Sequence, residues 1–253
     1  MQGWRTRIGL IVPSANTTNE PEFVDYVPDG VTVHASRMLH EETSVENMEA
    51  MFETGQRCAK LLATANPDVL AFGCTTGSLV SGEPKYALEM ERELGDAGGV
   101  PAVATAAAIL RAFEALSLDS MVVHTPYPDS LNERERTFIE DAGHEVLALE
   151  GLGIKPTTDK GNIHPESVYR HARSLDRADA DGVFVSCTNY RTVEVIEALE
   201  ADLDKPVVTS NQALLWNALS VAGVDASDIP LGSLFKHDVP SLDIELDPPA
   251  PEA

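Results

Sequence analysis

The sequence predicts an α/β protein made of two similar halves, each a parallel sheet covered by helices. Three observations carry that prediction. Short apolar runs alternate with helical stretches along most of the chain, the pattern of strand–helix units built on a parallel sheet. Val12-Pro13-Ser14 after the first strand has a counterpart in Thr125-Pro126-Tyr127 after the fifth, and Pro13 and Pro126 lie 113 residues apart. The run Asp-Val-Leu-Ala-Phe-Gly-Cys-Thr from Asp68 closes the third strand, and Asp-Gly-Val-Phe-Val-Ser-Cys-Thr from Asp181 closes the seventh. Cys74 and Cys187 are therefore also 113 residues apart. Two independent landmarks with one offset mark an internal repeat.

The elements follow in order. Apolar runs predict strands at Arg7–Val12, Val31–Ala35, Val69–Phe72 and Ala102–Ala104 in the first half. Their helices are Val45–Ala63, Glu83–Leu94 and Ala106–Leu116. The first of these places Val45, Met48, Met51, Phe52, Cys58, Ala59 and Leu62 on roughly one face, the spacing of an amphipathic helix. The second half repeats the plan with strands Met121–His124, Glu145–Leu149, Val183–Ser186 and Val207–Thr209. Its helices are Leu131–Asp141, Pro165–Leu175, Thr192–Leu203 and Gln212–Ala222. Pro101 and Pro206 are 105 residues apart, so an indel of 8 residues separates the halves there, placed at Gly95–Gly99. The halves span 1–115 and 116–228. The segment from about Ile229, ending Asp-Pro-Pro-Ala-Pro-Glu-Ala, is expected to be a loose tail, 229–253. Each half reads as a Rossmann-like or flavodoxin-like unit, the two related by a pseudo-twofold axis. Ligands of such sheets bind beyond the carboxyl ends of the strands, so the matching ends should face one cleft.

Composition narrows the function. The 253 residues carry 18 Lys plus Arg against 41 Asp plus Glu, a formal net charge of -23. Such a chain repels phosphate and anionic lipid, which excludes nucleic acid and membrane surfaces as partners. Only 6 of the basic residues are Lys, and the acids are dispersed rather than gathered in a tail. At about 1 M salt the Debye length is about 3 Å, so this surface suits a halophilic, cytoplasmic protein. No apolar run reaches the roughly 18 residues needed to span a bilayer, and Met1 to Arg7 lacks the apolar core of a signal peptide.

The three cysteines, Cys58, Cys74 and Cys187, form no C-x-x-C pair and have no histidine cluster beside them. Neither a zinc site nor a disulfide framework is expected. Cys58 reads as filler on the inner face of a helix. Cys74 and Cys187 each sit where a strand gives way to a polar turn, Cys-Thr-Thr-Gly-Ser and Cys-Thr-Asn-Tyr-Arg. Backbone N–H groups at such turns can lower a thiol pKa and bind a carboxylate. Two thiols on opposite sides of a small molecule suit racemisation beside a carboxylate, or thiolate addition to an activated double bond. Neither reaction needs a cofactor, and no G-x-G-x-x-G or Walker A loop occurs.

The motifs Gly-Leu-Ile-Val-Pro-Ser-Ala-Asn-Thr-Thr from Gly9, Val-His-Ala-Ser-Arg-Met from Val33 and Gly-Cys-Thr-Thr-Gly-Ser from Gly73 resemble those of maleate cis-trans isomerases, in order and spacing. Thr-Pro-Tyr-Pro-Asp from Thr125, Ser-Cys-Thr-Asn-Tyr-Arg from Ser186, Ser-Asn-Gln-Ala from Ser210 and Trp216 fit the same family. The resemblance covers about residues 7–220 and points to the aspartate/glutamate racemase superfamily. It implies that Cys74 is the nucleophile and Cys187 the partner acid/base. It implies that Asn16, Tyr127 and Asn162 hold substrate carboxylates, and that Thr75, Thr76, Thr188 and Asn189 supply donors to an oxyanion. It also implies a small dicarboxylate substrate, no cofactor, no metal, and a homo-oligomer, dimer or tetramer.

Bland roles compete at several of these positions. Asn16 also fits a turn or N-cap residue, Tyr127 a packing residue, and Arg37 an ion-pair partner. His34 and His124 read as structural histidines, and Glu133 and Glu135 as a solvated helix face. Rival activities are a two-cysteine aspartate, glutamate or hydantoin racemase and an arylmalonate decarboxylase. Decarboxylases lack the first-half thiol that Cys74 provides here, and racemases usually read Cys-Asn-Thr where this chain has Cys-Thr-Thr. A small-carboxylate binding protein is the non-enzymatic alternative, with no need of two paired thiols.

Overall fold

The computed structural model describes residues 2–40 and 45–246, without side chains at 45–50. The tail residues 247–253 and the side chains of Val45 and Met48 lie outside the described residues. The first half runs β1 (Thr6–Pro13), α1 (Asn19–Tyr26), β2 (Val31–Met38), α2 (Val45–Ala63), β3 (Val69–Phe72), α3 (Thr75–Ser78), α4 (Pro84–Gly98), β4 (Ala102–Ala104) and α5 (Thr105–Ala115). The second half runs β5 (Ser120–Thr125), α6 (Asp129–Asp141), β6 (Glu145–Gly151), α7 (Thr157–Gly161), α8 (Pro165–Leu175), β7 (Gly182–Val185), α9 (Ile196–Leu203), β8 (Val207–Thr209) and α10 (Ser210–Val221).

The two sheets have the same plan. Strand order is β2-β1-β3-β4 in one and β6-β5-β7-β8 in the other, and every pairing is parallel. The repeat extends to individual hydrogen bonds. The Arg7 N–H donates to Asp68 Oδ2 at 2.8 Å, and the Ser120 N–H donates to Asp181 Oδ2 at 2.8 Å. Both partners are displaced by 113 residues. The shift to 105 has a visible origin: α4 is 15 residues long and its equivalent α9 only 8. The extra turns of α4 end on Gly99, whose φ of 69° is the left-handed conformation that glycine adopts at little cost.

The last helix of each half builds the interface. In α10 all residues from Ser210 to Leu219 are buried, and in α5 Thr105 to Leu110 are buried in succession. A helix buried on every side needs cover on every side. The two helices pack on each other, and each also reaches a strand of the opposite half, α10 on β3 and α5 on β8. Arg111 on α5 braces the junction. It makes a bidentate pair with Glu91 at 2.7 and 2.8 Å and donates to Asn217 on α10 at 2.9 Å.

Some expectations change. Helix α1 was absent from the pattern because it buries only Asn19 and Phe23 and so shows no apolar stripe. Strand β2 runs past Ala35 to Met38, since its polar residues lie on a sheet edge that pairs only with β1. The segment after Ile229, expected to be loose, packs: Leu231, Leu234 and Phe235 are buried. Leu231 O accepts the Gln212 side-chain amide at 2.6 Å and His237 O accepts the Trp216 indole N–H at 3.0 Å. Glu135, expected on a solvated face, is also buried. Its carboxylate accepts the Ser186 hydroxyl at 2.5 Å. Among the described residues no helix is long and apolar enough to cross a membrane. Nor does any group of three or more His, Cys, Asp or Glu stand where it could hold a metal ion.

Candidate active site

The carboxyl ends of the equivalent strands β1 and β5, and β3 and β7, converge on one small cavity. Its volume, including the mouth, is about 330 Å³. Pro13 and Asn16 come from the turn after β1, and Cys74, Thr75 and Thr76 from the turn after β3. Tyr127 follows β5, and Cys187, Thr188 and Asn189 follow β7. His40, Thr157 and Lys160 complete the lining. The cavity thus joins eight of the nine residues singled out from the sequence. Asn162 is the exception: it caps the end of α7, is exposed and does not line the cavity. Two residues earlier, Lys160 lines it.

The thiols have similar but unequal settings. Cys74 is the N-cap of α3, and its Sγ accepts the Gly77 N–H at 3.4 Å. Cys187 Sγ accepts the Asn189 N–H at 3.4 Å. The Tyr127 hydroxyl also favours the Cys187 thiolate. Burial nevertheless outweighs these donors. It pushes the Cys74 thiol up to about 11, while the Gly77 amide, the Thr76 hydroxyl and the Lys160 charge pull it part of the way back. Burial raises Cys187 as well, opposed chiefly by the Lys160 charge and then by Tyr127. The turn amides therefore moderate the thiol pKa values without bringing them below the ordinary range, because desolvation of a thiolate is the larger effect. The backbones differ too. Cys74 is extended at φ -147°, whereas Cys187 has φ 102°, a conformation that side-chain-bearing residues adopt only where the surroundings enforce it.

Those surroundings are a mesh of bonds between the halves. Thr188 Oγ1 donates to Gly73 O at 3.1 Å and accepts the Asn16 side-chain amide at 3.2 Å. Asn189 Oδ1 accepts the Thr17 N–H at 2.9 Å and its amide donates to Thr157 O at 2.7 Å. Thr75 donates its hydroxyl to Ser210 Oγ at 3.0 Å. The side chains of Thr75, Thr188 and Asn189 thus hold the turns in place. Gly73 must be glycine, since a Cβ there would meet Asn19 Oδ1 at 2.0 Å. Asn16 does cap: its Oδ1 accepts the Thr18 and Asn19 N–H groups, each at 2.9 Å. An amide nitrogen carries two hydrogens, and Thr188 takes only one of them.

The chain matches the arylmalonate decarboxylase family over residues 8–235. It belongs to that family. Maleate isomerase of Alcaligenes faecalis is 26% identical over 232 residues, covering 87% of this chain and 92% of the relative. A structure of maleate isomerase from Pseudomonas putida S16, a cysteine-to-alanine variant with maleate, superposes with a TM-score of 0.86 at 25% identity. It covers 91% of this chain and 97% of that one. A cysteine-to-serine variant of the Nocardia farcinica maleate cis-trans isomerase, with a covalently bound succinylcysteine intermediate, matches with a TM-score of 0.84 at 26% identity. Here the coverage is 91% of this chain and 98% of that one. The chain is an isomerase-type enzyme of the aspartate/glutamate racemase superfamily, as its motifs indicated.

Four residues at or beside the site carried no role in the sequence reading. Lys160 and His40 line the cavity, Ser210 ties its two thiol turns, and Glu135 lies buried behind Cys187. Ser210 had a readable signal, the capping box in which Thr209 and Gln212 open α10. Lys160 had none, because a lysine in a polar loop is indistinguishable from a solvated one until the loop is placed. The bland readings of three residues hold. Arg37 pairs with Glu20 at 2.5 Å, His124 is buried against the Tyr190 hydroxyl at 3.0 Å, and Cys58 is buried filler.

Proposed function

We propose that the chain isomerises maleate to fumarate without a cofactor. The observation that supports this most is the pair of buried thiols, one from each half, lining a cavity with room for only a small molecule. Cys74, as thiolate, adds to one alkene carbon. The C–S bond forms as the π pair moves into the adjacent carboxylate, giving an enediolate. Cys187 stands as the acid/base on the other thiol turn: it gives a proton to the second carbon and later takes it back. The former double bond is single in between and rotates. Collapse of the enediolate then expels the thiolate and leaves fumarate. Asn16 and Tyr127 hold carboxylate oxygens, and the backbone amides at Thr75, Thr76, Thr188 and Asn189 receive the developing oxyanion, which preorganised donors stabilise. Asn162 joins them only if the α7 turn rearranges around substrate.

One experiment tests both steps. The protein is incubated with maleate in about 2 M KCl, where surface charge is screened, and fumarate is followed by NMR. Cys74→Ala should form none, and Cys187→Ser should accumulate a species heavier by one maleate with the adduct on Cys74. Near-normal fumarate from Cys74→Ala overturns the nucleophile assignment. The family's own name favours a second reading, decarboxylation of an arylmalonate, so phenylmalonate belongs in the same screen with aspartate, glutamate and a hydantoin. The three free, buried thiols suit a reducing compartment, and we place the protein in the cytoplasm, with an acidic surface adapted to salt.

A further inference from the structure

Lys160 is only 3% exposed although it lies in a chain whose other lysines are mostly on the surface. It lines the cavity between the two thiols. Its Nζ sits over the Tyr127 ring, 5.0 Å from the centroid. No carboxylate of the described residues comes within ion-pair distance of it, whereas Lys85 and Lys205 are paired with Glu83 and Asp176. A buried ammonium is costly unless an anion compensates it. The thiols compensate poorly, since burial disfavours the thiolate form of both, and the face of Tyr127 compensates only in part.

The position of the ammonium is built rather than incidental. The α7 turn that carries it is tied down by the bond from Asn189 to Thr157 O at 2.7 Å. At the next residue, Gly161, a Cβ would stand 2.7 Å from Thr17 Oγ1 and 3.0 Å from Asn189 Oδ1. The turn therefore packs directly on the polar mesh that holds the two thiol turns. A lysine side chain held in so small a cavity is complementary to a negative charge on whatever enters it.

We infer that Lys160 determines specificity: its ammonium pairs with a carboxylate of the bound substrate, so that the cavity selects a dianion over a monoanion of the same shape. This deepens the isomerase reading and rests on it for the identity of the substrate. The surface cannot do this work, because a net charge of -23 repels any dianion. Attraction has to be local, and Lys160 is the buried cation of the cavity.

The test compares maleate with maleamate, which keeps the shape and replaces one carboxylate by a neutral amide. Affinities are measured by calorimetry on the full chain, wild type against Lys160→Met and Lys160→Arg, with circular dichroism to confirm folding. Wild type should prefer maleate by about tenfold or more, the scale of one charge-assisted contact. Lys160→Met should lose that preference, with KM for maleate rising more than kcat falls, and Lys160→Arg should keep part of it. If Lys160→Met binds maleate within about twofold of wild type, or weakens both ligands equally, the inference is overturned. Charge-selective binding that depends on Lys160, in a wild type that makes no fumarate, supports the inference and overturns the isomerase reading. Wild-type turnover with unchanged selectivity in Lys160→Met does the reverse. Should Lys160→Met fail to fold, Lys160→Arg and Lys160→Gln carry the same comparison.

Discussion

The Cys187 backbone N–H donates to Ser210 Oγ at 3.0 Å, and the same oxygen accepts the Thr75 hydroxyl at 3.0 Å. One hydroxyl at the head of α10 therefore holds both thiol turns. Replacing it leaves two buried donors without an acceptor, each a cost of about 1–3 kcal/mol. Ser210→Ala should lower the melting temperature and reduce kcat more than it raises KM, because it misplaces reacting groups rather than removing a binding contact. A variant with normal kcat would mean that Ser210 is packing only.

Ionisation of Cys74 should govern its reactivity. Burial holds the thiol up to about 11, so at neutral pH only a small fraction is thiolate. The rate of alkylation by iodoacetamide should rise about tenfold per pH unit between about 7 and 10. Peptide mapping of Cys74 against pH measures this. A plateau near pH 7 would show that the turn amides overcome burial after all.

Glu135 should make stability fall with rising pH. Burial pushes its carboxyl from 4.5 to about 7, despite the Ser186 hydrogen bond. The folded state thus holds the proton more tightly than the unfolded chain. Its contribution is present below about 4.5 and is lost as pH rises through about 7. Glu135→Gln removes the titration and leaves an oxygen for Ser186 to donate to. Denaturant melts at pH 5 and pH 8 should show the variant gaining on wild type by on the order of 2–3 kcal/mol. A constant difference across that range would contradict the shift.

Cys58 should be dispensable for chemistry. It is buried in the helix layer over the first sheet, away from the cavity lining. Cys58→Ala should keep kcat/KM within about twofold and cost about 1 kcal/mol of stability for the small void left behind.

Salt should stabilise the fold. With 41 acidic residues against 18 basic ones, self-repulsion falls as KCl shortens the Debye length to about 3 Å at 1 M. The melting temperature should climb between about 0.1 and 2 M KCl. An unchanged value would remove the case for a salt-adapted surface.

Most of the fold was legible because the chain repeats itself. The offset of Pro13 to Pro126 and Cys74 to Cys187 required equivalent strands, and apolar runs located them. Helix α1 was not legible, since its signal is one capping side chain, Asn16, rather than a stripe. The packed segment from Leu231 to Ile244 was hidden because Asp238, Pro240 and Asp243, followed by the run Asp-Pro-Pro-Ala-Pro-Glu-Ala, read as a tail. Its few apolar residues find α10 only in three dimensions. The site was readable where strands end in Cys-Thr turns. It was unreadable at Lys160 and Glu135, because sequence does not tell a buried charge from a solvated one.

The unlike backbones of the two cysteines, φ -147° at Cys74 and φ 102° at Cys187, say something about why the repeat sits in a single chain. Two separate copies of one half, meeting on an exact symmetry axis, would have to present identical thiols. Joined head to tail, the copies are free to diverge, and each cysteine can be strained, screened and solvated on its own terms. A single chain that repeats itself can thus give its two sulfurs unlike settings, which two copies of one half on an exact axis could not.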